Sequence, residues 1–92
     1  MRKYEIKPHL LKILTKLSKK DKTAYEAVMN KVNEIINASP DEIDHYKNLR
    51  YDLKFEKRVH IASHFVLVFS YNRVNDYISF LDYDHHDNIY RR

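Results

Sequence analysis

Two groups of side chains in this sequence could do chemistry. The first is the C-terminal stretch DYDHHDNIYRR, residues 82–92, with adjacent histidines His85 and His86 among three acids and ahead of Tyr90, Arg91 and Arg92. The second is the imidazole pair His60 and His64, which flanks the short connection IAS beside Arg58 and Lys54. Imidazoles exchange protons near neutral pH. Lysine and arginine hold phosphoryl oxygens. The combination suits phosphodiester cleavage without a metal, and it equally suits simple RNA binding.

A metal site is the other chemistry to weigh. His85, His86, Asp82, Asp84 and Asp87 offer nitrogen and oxygen ligands. Their spacing matches no zinc framework, and there is no cysteine for a structural zinc site. Adjacent histidines on a strand point to opposite faces. The expectation is therefore no metal and no cofactor, and on this pattern alone the stretch reads as solvated loop residues.

For the two groups to meet, the chain must fold one onto the other. KYEIK alternates weakly and reads as a first strand, Lys3 to Lys7, and Pro8 suits the first helical turn. Leu10, Leu11, Ile13, Leu14 and Leu17 follow helical spacing. Asp21 is a cap for a second helix, whose apolar stripe runs from Ala24 through Val28 and Val32 to Ile36. SPDE at 39–42 has the form of a capping box and starts a short helix. From Lys54 the period changes to two: Leu53, Phe55, Val59 and Ile61 fall on one side, with Lys57 as the exception, and Lys54, Glu56, Arg58 and His60 on the other. HFVLVFSY is apolar on both faces and so reads as a central strand, NRVN as a turn, and DYISFLDY as the last strand. The segment from His85 to Arg92 is too short to be stable alone and must dock on the sheet or stay mobile.

These elements predict one α+β domain spanning residues 1–92: a mainly antiparallel, twisted sheet with the two N-terminal helices packed on one face. If the last strand pairs with the strand beginning at His64, the tail emerges beside the hairpin turn. The charge of +4 is concentrated early, with 14 Lys+Arg against 9 Asp+Glu in residues 1–58. It permits a polyanionic partner without demanding one. Lys16–Lys22 and Lys47–Arg50 read as solvated faces that can steer RNA, and Tyr46, Tyr51 and Tyr90 as rings able to stack on bases. The absence of glycine excludes a glycine-rich phosphate loop. The longest apolar run, FVLVF, is too short to span a bilayer, and no apolar segment of a signal peptide opens the chain, so a cytoplasmic location without a membrane partner is expected.

The stretches KNLRYDLKFEKRVHIASHFVLVFSY and FLDYDHHDNIY, with the order of helices and strands, resemble the RelE-like toxins of bacterial and archaeal toxin–antitoxin pairs, the YafQ branch above all. The resemblance implies a microbial-ribonuclease-like fold, cleavage of mRNA in the ribosomal A site, and an antitoxin that wraps the toxin with helices. It sets His60 where the YafQ branch keeps a histidine before the hairpin turn, and His64 where it keeps an aspartate just after. His86 stands at its terminal catalytic histidine, Tyr90 at its final aromatic residue, and Lys54 at a basic strand position. Two departures are plain. Lys47 replaces a further histidine, and a lysine with an ordinary pKa of about 10.4 cannot do the same proton work. Val66 stands where RelE proper keeps an arginine, a charge that Arg58 could supply from the neighbouring strand.

The chemistry so implied uses the 2′-hydroxyl of RNA as nucleophile. His86 is the acid for the leaving 5′-oxygen, His60 or His64 the base, and His85 a bystander pointing away. Lys47, Lys54 and Arg58 hold the phosphoryl oxygens, Tyr90 stacks on a base, and Arg91 touches backbone phosphate or antitoxin carboxylates. The rival reading keeps the fold and drops the enzyme, leaving an RNA-binding or protein-interaction module.

Overall fold

A computed structural model describes residues 2–49 and 56–91. In chain order the elements are β1 (Lys3–Ile6), α1 (Pro8–Lys20), α2 (Lys22–Asn37), α3 (Pro40–Asp44), β2 (Lys47–Asn48), β3 (Glu56–Ile61), β4 (Phe65–Asn72), β5 (Tyr77–His85) and α4 (His86–Arg91). Lys54, Leu53, Phe55 and Tyr51 lie outside the described residues. The five strands form one sheet in the order β1-β5-β4-β3-β2. Its pairs are antiparallel except β1 with β5, which run parallel.

The helices start where the sequence places their caps. Pro8 occupies the first turn of α1, where a missing N–H costs nothing. Asp21 ends α1 and begins α2: its N–H donates to the Leu17 carbonyl, and its carboxylate accepts from Ala24 N–H. Before α3 the capping box is complete, with Ser39 N–H donating to Glu42 Oε1 at 2.8 Å and Glu42 N–H to Ser39 Oγ at 3.2 Å. These bonds, first the one from the Ser39 backbone, hold the Glu42 carboxyl below its ordinary value.

Leu10 and Leu14 of α1, Val28, Val32, Ile35 and Ile36 of α2 and Ile43 of α3 pack with the sheet residues Ile61, Leu67, Phe69, Tyr71, Ile78, Phe80 and Tyr83. Leu67 and Phe69 are fully buried, and each such side chain contributes on the order of 1.5–3 kcal/mol. The α2 stripe is thus consumed by the core and is not a free surface for a partner. Leu11, included in the expected stripe of α1, turns outward and is 54% exposed. Tyr46 is half-buried edge-on against Phe69, so it serves the core and not base stacking. Lys57, the odd residue on the core side of β3, is buried along its stem, and its ammonium donates to Tyr46 O and Asn48 Oδ1.

Strand β4 is central, flanked by β3 and β5, and it is covered on both faces. Leu67, Phe69 and Tyr71 face the large core. Val66 and Val68 join Ile89 of α4 in a second, smaller cluster edged by Leu49 and Leu81. The tail therefore does not stay loose: it forms α4 and docks on the second face. The hairpin turn is Ala62–His64, one residue later than expected, so β4 begins at Phe65. Among the described residues no helix is long and apolar enough to cross a membrane.

Arg2 closes the far end of the molecule. Its Nε donates to Asp76 Oδ1 at 2.8 Å, and its Nη1 donates to the Ile35 and Ile36 carbonyls at the end of α2. Tyr71 Oη donates to the same Asp76 oxygen. The Arg2 bond first, then the Tyr71 bond, holds the Asp76 carboxyl below its usual range. A carboxyl lowered on folding adds stability above its unfolded value, near 3.9, and that contribution disappears as pH falls through the folded value. Asp76→Asn, which tolerates the positive φ of 51° here, is expected to lower the thermal midpoint at pH 7. It should also flatten the decline below about pH 4, measured by circular dichroism from pH 7 to 2.5. Parallel pH profiles for the two proteins would remove Asp76 from that account.

Candidate functional site

Side chains opposed across paired strands share a face of the sheet. The register sets Lys47 of β2 opposite Arg58 of β3, Arg58 opposite Val68 of β4, and Val68 opposite Asp82 of β5. The next row runs His60, Val66, Asp84. Val66 and Val68 are the residues that α4 covers, so Lys47, Arg58 and His60 share that face with the helix bearing His86 and Tyr90.

An irregularity in β5 aims its C-terminal half. Val68 pairs with Asp82 but Phe69 with Phe80, which leaves Leu81 as an extra residue. Such a bulge reverses the alternation beyond it. Phe80 and Tyr83 consequently both reach the large core, while Leu81 turns to the smaller cluster. Asp84 then organises the start of α4, accepting from His85 N–H at 2.7 Å and from Asn88 Nδ2 at 3.1 Å. Asp82, nearly buried, accepts from Tyr83 N–H and lies 3.1 Å from His9 Nε2.

The hairpin turn and the terminus are joined directly: His86 N–H donates to the His64 carbonyl at 2.8 Å. The turn bends through Ala62 at a φ of 58°, a left-handed conformation that costs a residue with a Cβ. Three imidazoles gather here. His64 and His85 stack with centroids 5.8 Å apart and planes 10° from parallel. His85 and His86 lie 4.5 Å apart, and His64 and His86 6.1 Å apart. His85 thus does not point away from the other two rings. It ends β5 and His86 begins α4, so strand alternation does not separate their rings. Asp87 serves both: its Oδ1 is 2.9 Å from His86 Nδ1, its Oδ2 3.7 Å from His85 Nδ1, and its N–H donates to His85 Nδ1.

Beside the imidazoles, the Arg58 guanidinium lies over the Tyr90 ring, 5.5 Å from its centroid. The Arg58 Nε is buried with no hydrogen-bond partner among the described residues. His86 and Tyr90 are themselves in ring contact at 6.4 Å. Of the residues singled out from sequence, His64, His86, Arg58 and Tyr90 therefore converge. His60 and Lys47 are exposed on the same face, but His60 is not part of the imidazole group and stands two strands from β5, on the order of 10 Å. Lys54 falls outside the described residues. Arg91 belongs to α4, but its side chain falls outside what is described. Reasoning from sequence missed His85 and Asp87. The signal was present in the HHD run, but only a helix start at His86 brings those side chains together.

No family model matches the chain. A protein of Methanocaldococcus jannaschii named "Putative toxin RelE4" is 50% identical over 92 residues, which is 100% of this chain and 94% of that protein. The crystal structure of YafQ from E. coli strain BL21(DE3) superposes with a TM-score of 0.65 at 15% identity, covering 98% of this chain and 99% of that one. An archaeal RelE–RelB complex from Pyrococcus horikoshii OT3 superposes at 0.62 and 15% identity, covering 92% and 94%. At these identities the two structures show the shared fold.

Helix α4 has six residues and cannot persist without tertiary support. Ile89, 2% exposed, is its apolar anchor on Val66 and Val68. Ile89→Ala is expected to cost about 2–5 kcal/mol in denaturant unfolding. It should also release the His86 amide proton to exchange faster than in the wild type. An amide exchanging at the wild-type rate in a folded variant would mean that Ile89 does not hold the site together.

Proposed function

The chain belongs to the RelE-like toxins of toxin–antitoxin systems, and from that membership we propose that it is a metal-independent endoribonuclease that cleaves mRNA on the ribosome and is neutralised by a cognate antitoxin. The observation that most supports this reading is the meeting of His64 and His86 beside the Arg58–Tyr90 pair. RNA brings its own nucleophile. A base takes the 2′-hydroxyl proton, the 2′-oxygen bonds to phosphorus, the 5′-oxygen bond breaks, and an acid returns a proton to the leaving oxygen.

His86 is assigned as the acid. Asp87 Oδ1, 2.9 Å from His86 Nδ1, favours the protonated imidazolium and leaves Nε2 as the proton-delivering atom. His64 is the nearer base, and His60 the alternative on the same face. Arg58 supplies the fixed positive charge. With Nε buried, its outer guanidinium nitrogens are the donors assigned to a phosphoryl oxygen, in the role of the central-strand arginine of RelE proper. Lys47, opposite Arg58, extends the cationic row, Lys54 is assigned to it from the family pattern, and Arg91 is assigned to backbone phosphate or antitoxin carboxylates. Tyr90, 41% exposed, keeps a ring edge for a base while its face rests on Arg58. The solved RelE–RelB complex of the same fold supports an antitoxin partner, whose acidic side chains would cover this cationic face.

One observation favours the non-catalytic reading. Val66 is fully buried under α4, so the central strand offers no charge of its own. Purified protein incubated with translating ribosomes separates the two. The nuclease reading expects mRNA cleavage that His86→Ala slows by about 10²–10⁴-fold, that His64→Ala slows comparably, and that chelator leaves intact. Undiminished cleavage by His86→Ala would remove it from the mechanism. RNA binding without cleavage by the wild type, with harmless expression in the absence of antitoxin, would establish the module instead.

A further inference from the structure

The third imidazole has no task in the cleavage scheme. His85 stacks on both His64 and His86, the three rings forming a triangle, and each of the three residues offers a ligand nitrogen, all within 4.8 Å of one another. We propose that His64, His85 and His86 form a transition-metal site suited to Zn²⁺, and that its occupation switches the nuclease off. The regulatory half of this proposal rests on the roles assigned above to His64 and His86; the binding half does not.

Ligand chemistry favours this class of ion. Three imidazoles without thiolate suit zinc, copper or nickel, whereas magnesium and calcium require oxygen ligands. Three nitrogens around one tetrahedral zinc, each at about 2.0–2.1 Å, sit roughly 3.4 Å apart. Closing from 4.8 Å is within reach of side-chain rotation alone, because the backbone is already held by the His86 N–H to His64 carbonyl bond. Asp87 adds the outer support common to metal-bound histidines, a carboxylate oxygen 2.9 Å from His86 Nδ1 that leaves Nε2 for the ion. His64 is exposed and the other two are partly exposed, so an ion can enter and a fourth position stays open to water.

Inhibition follows from shared atoms. A nitrogen lone pair committed to zinc cannot take or deliver a proton, so a bound ion removes the acid and the nearer base together. His85 is the residue that separates the two functions, because it belongs to the metal set and not to the proton-transfer pair.

The test uses the full chain without a histidine tag. Calorimetric titration with Zn²⁺ is expected to show one ion per chain for the wild type and at least about tenfold weaker binding for His85→Gln. Mg²⁺ should give no binding. His85→Asn provides a second variant, and thermal melts report whether each remains folded. Unchanged Zn²⁺ affinity in both folded variants, or wild-type stoichiometry well below one, would overturn the site. In the ribosome assay with buffered free Zn²⁺, one equivalent should suppress wild-type cleavage. His85→Gln should cleave at close to the wild-type metal-free rate and resist the same Zn²⁺. Full occupancy with undiminished wild-type cleavage would overturn the inhibitory role. A wild type that never cleaves, with or without metal, would sink the nuclease reading while the titration still decides the metal site.

Discussion

Strand β4 is apolar on both faces, and that constraint organises the rest of the molecule. Leu67 and Phe69 need the two long helices above them, and Val66 and Val68 need something below. Among the described residues the six-residue helix α4 takes the second task, with Ile89 as its contact and Leu49 and Leu81 at the edge. Burying two valines therefore folds the C-terminus back across the sheet. The hydrophobic effect has no direction of its own, but here the register and helix length translate it into a position. His86 arrives at the hairpin turn and Tyr90 arrives over Arg58. The candidate site is a by-product of covering the second face, which couples its assembly to the stability of α4.

Within that frame the finer aim comes from an irregularity. One extra residue at Leu81 reverses the alternation in β5 and gives Tyr83 to the core. It also sets Asp84 opposite Val66, where its carboxylate caps the turn into α4. The strand then becomes a helix between two consecutive histidines. A continuous strand would have sent their rings to opposite faces; the change of backbone conformation stacks them instead. Asp87, the next residue, fixes both rings from below. On the two proposals above, the same short sequence would serve both proton transfer to phosphate esters and coordination of a borderline metal.

The positive charge of the chain is used in two distinct ways. Arg2 is structural: its side chain is 6% exposed and joins the end of α2 to the β4–β5 turn through Asp76. Arg58 is held by stacking on Tyr90 and keeps a buried donor without a partner among the described residues. Most lysines of α1 and α2 remain solvated, as their spacing suggested.

The sequence by itself determined β1, the three N-terminal helices and the strands β3, β4 and β5 in their order, but not β2 or the helix α4. Proline at the start of α1, Asp21 between α1 and α2, the SPDE box and the switch to period two are local signals, because caps and alternation depend on neighbours within a turn or a strand. The central place of β4 was legible for the same reason: a run apolar on both faces has no exposed side. The pairing of the hairpin with the terminus followed from antiparallel order, and the likeness to RelE-like toxins pointed to His60, His64, His86, Lys47, Lys54 and Tyr90, of which His64, His86 and Tyr90 converge while His60 stands apart. What only the tertiary structure decided was which way the last strand's side chains point. A bulge is chosen by the fit of Tyr83 and Phe80 into a core built from distant helices, and no local pattern records that fit. The parallel seat of β1, the burial of the α2 stripe and the stacking of His85 depend likewise on contacts between residues far apart in the chain. Periodicity reports what a segment can do alone; packing against the rest selects among the outcomes.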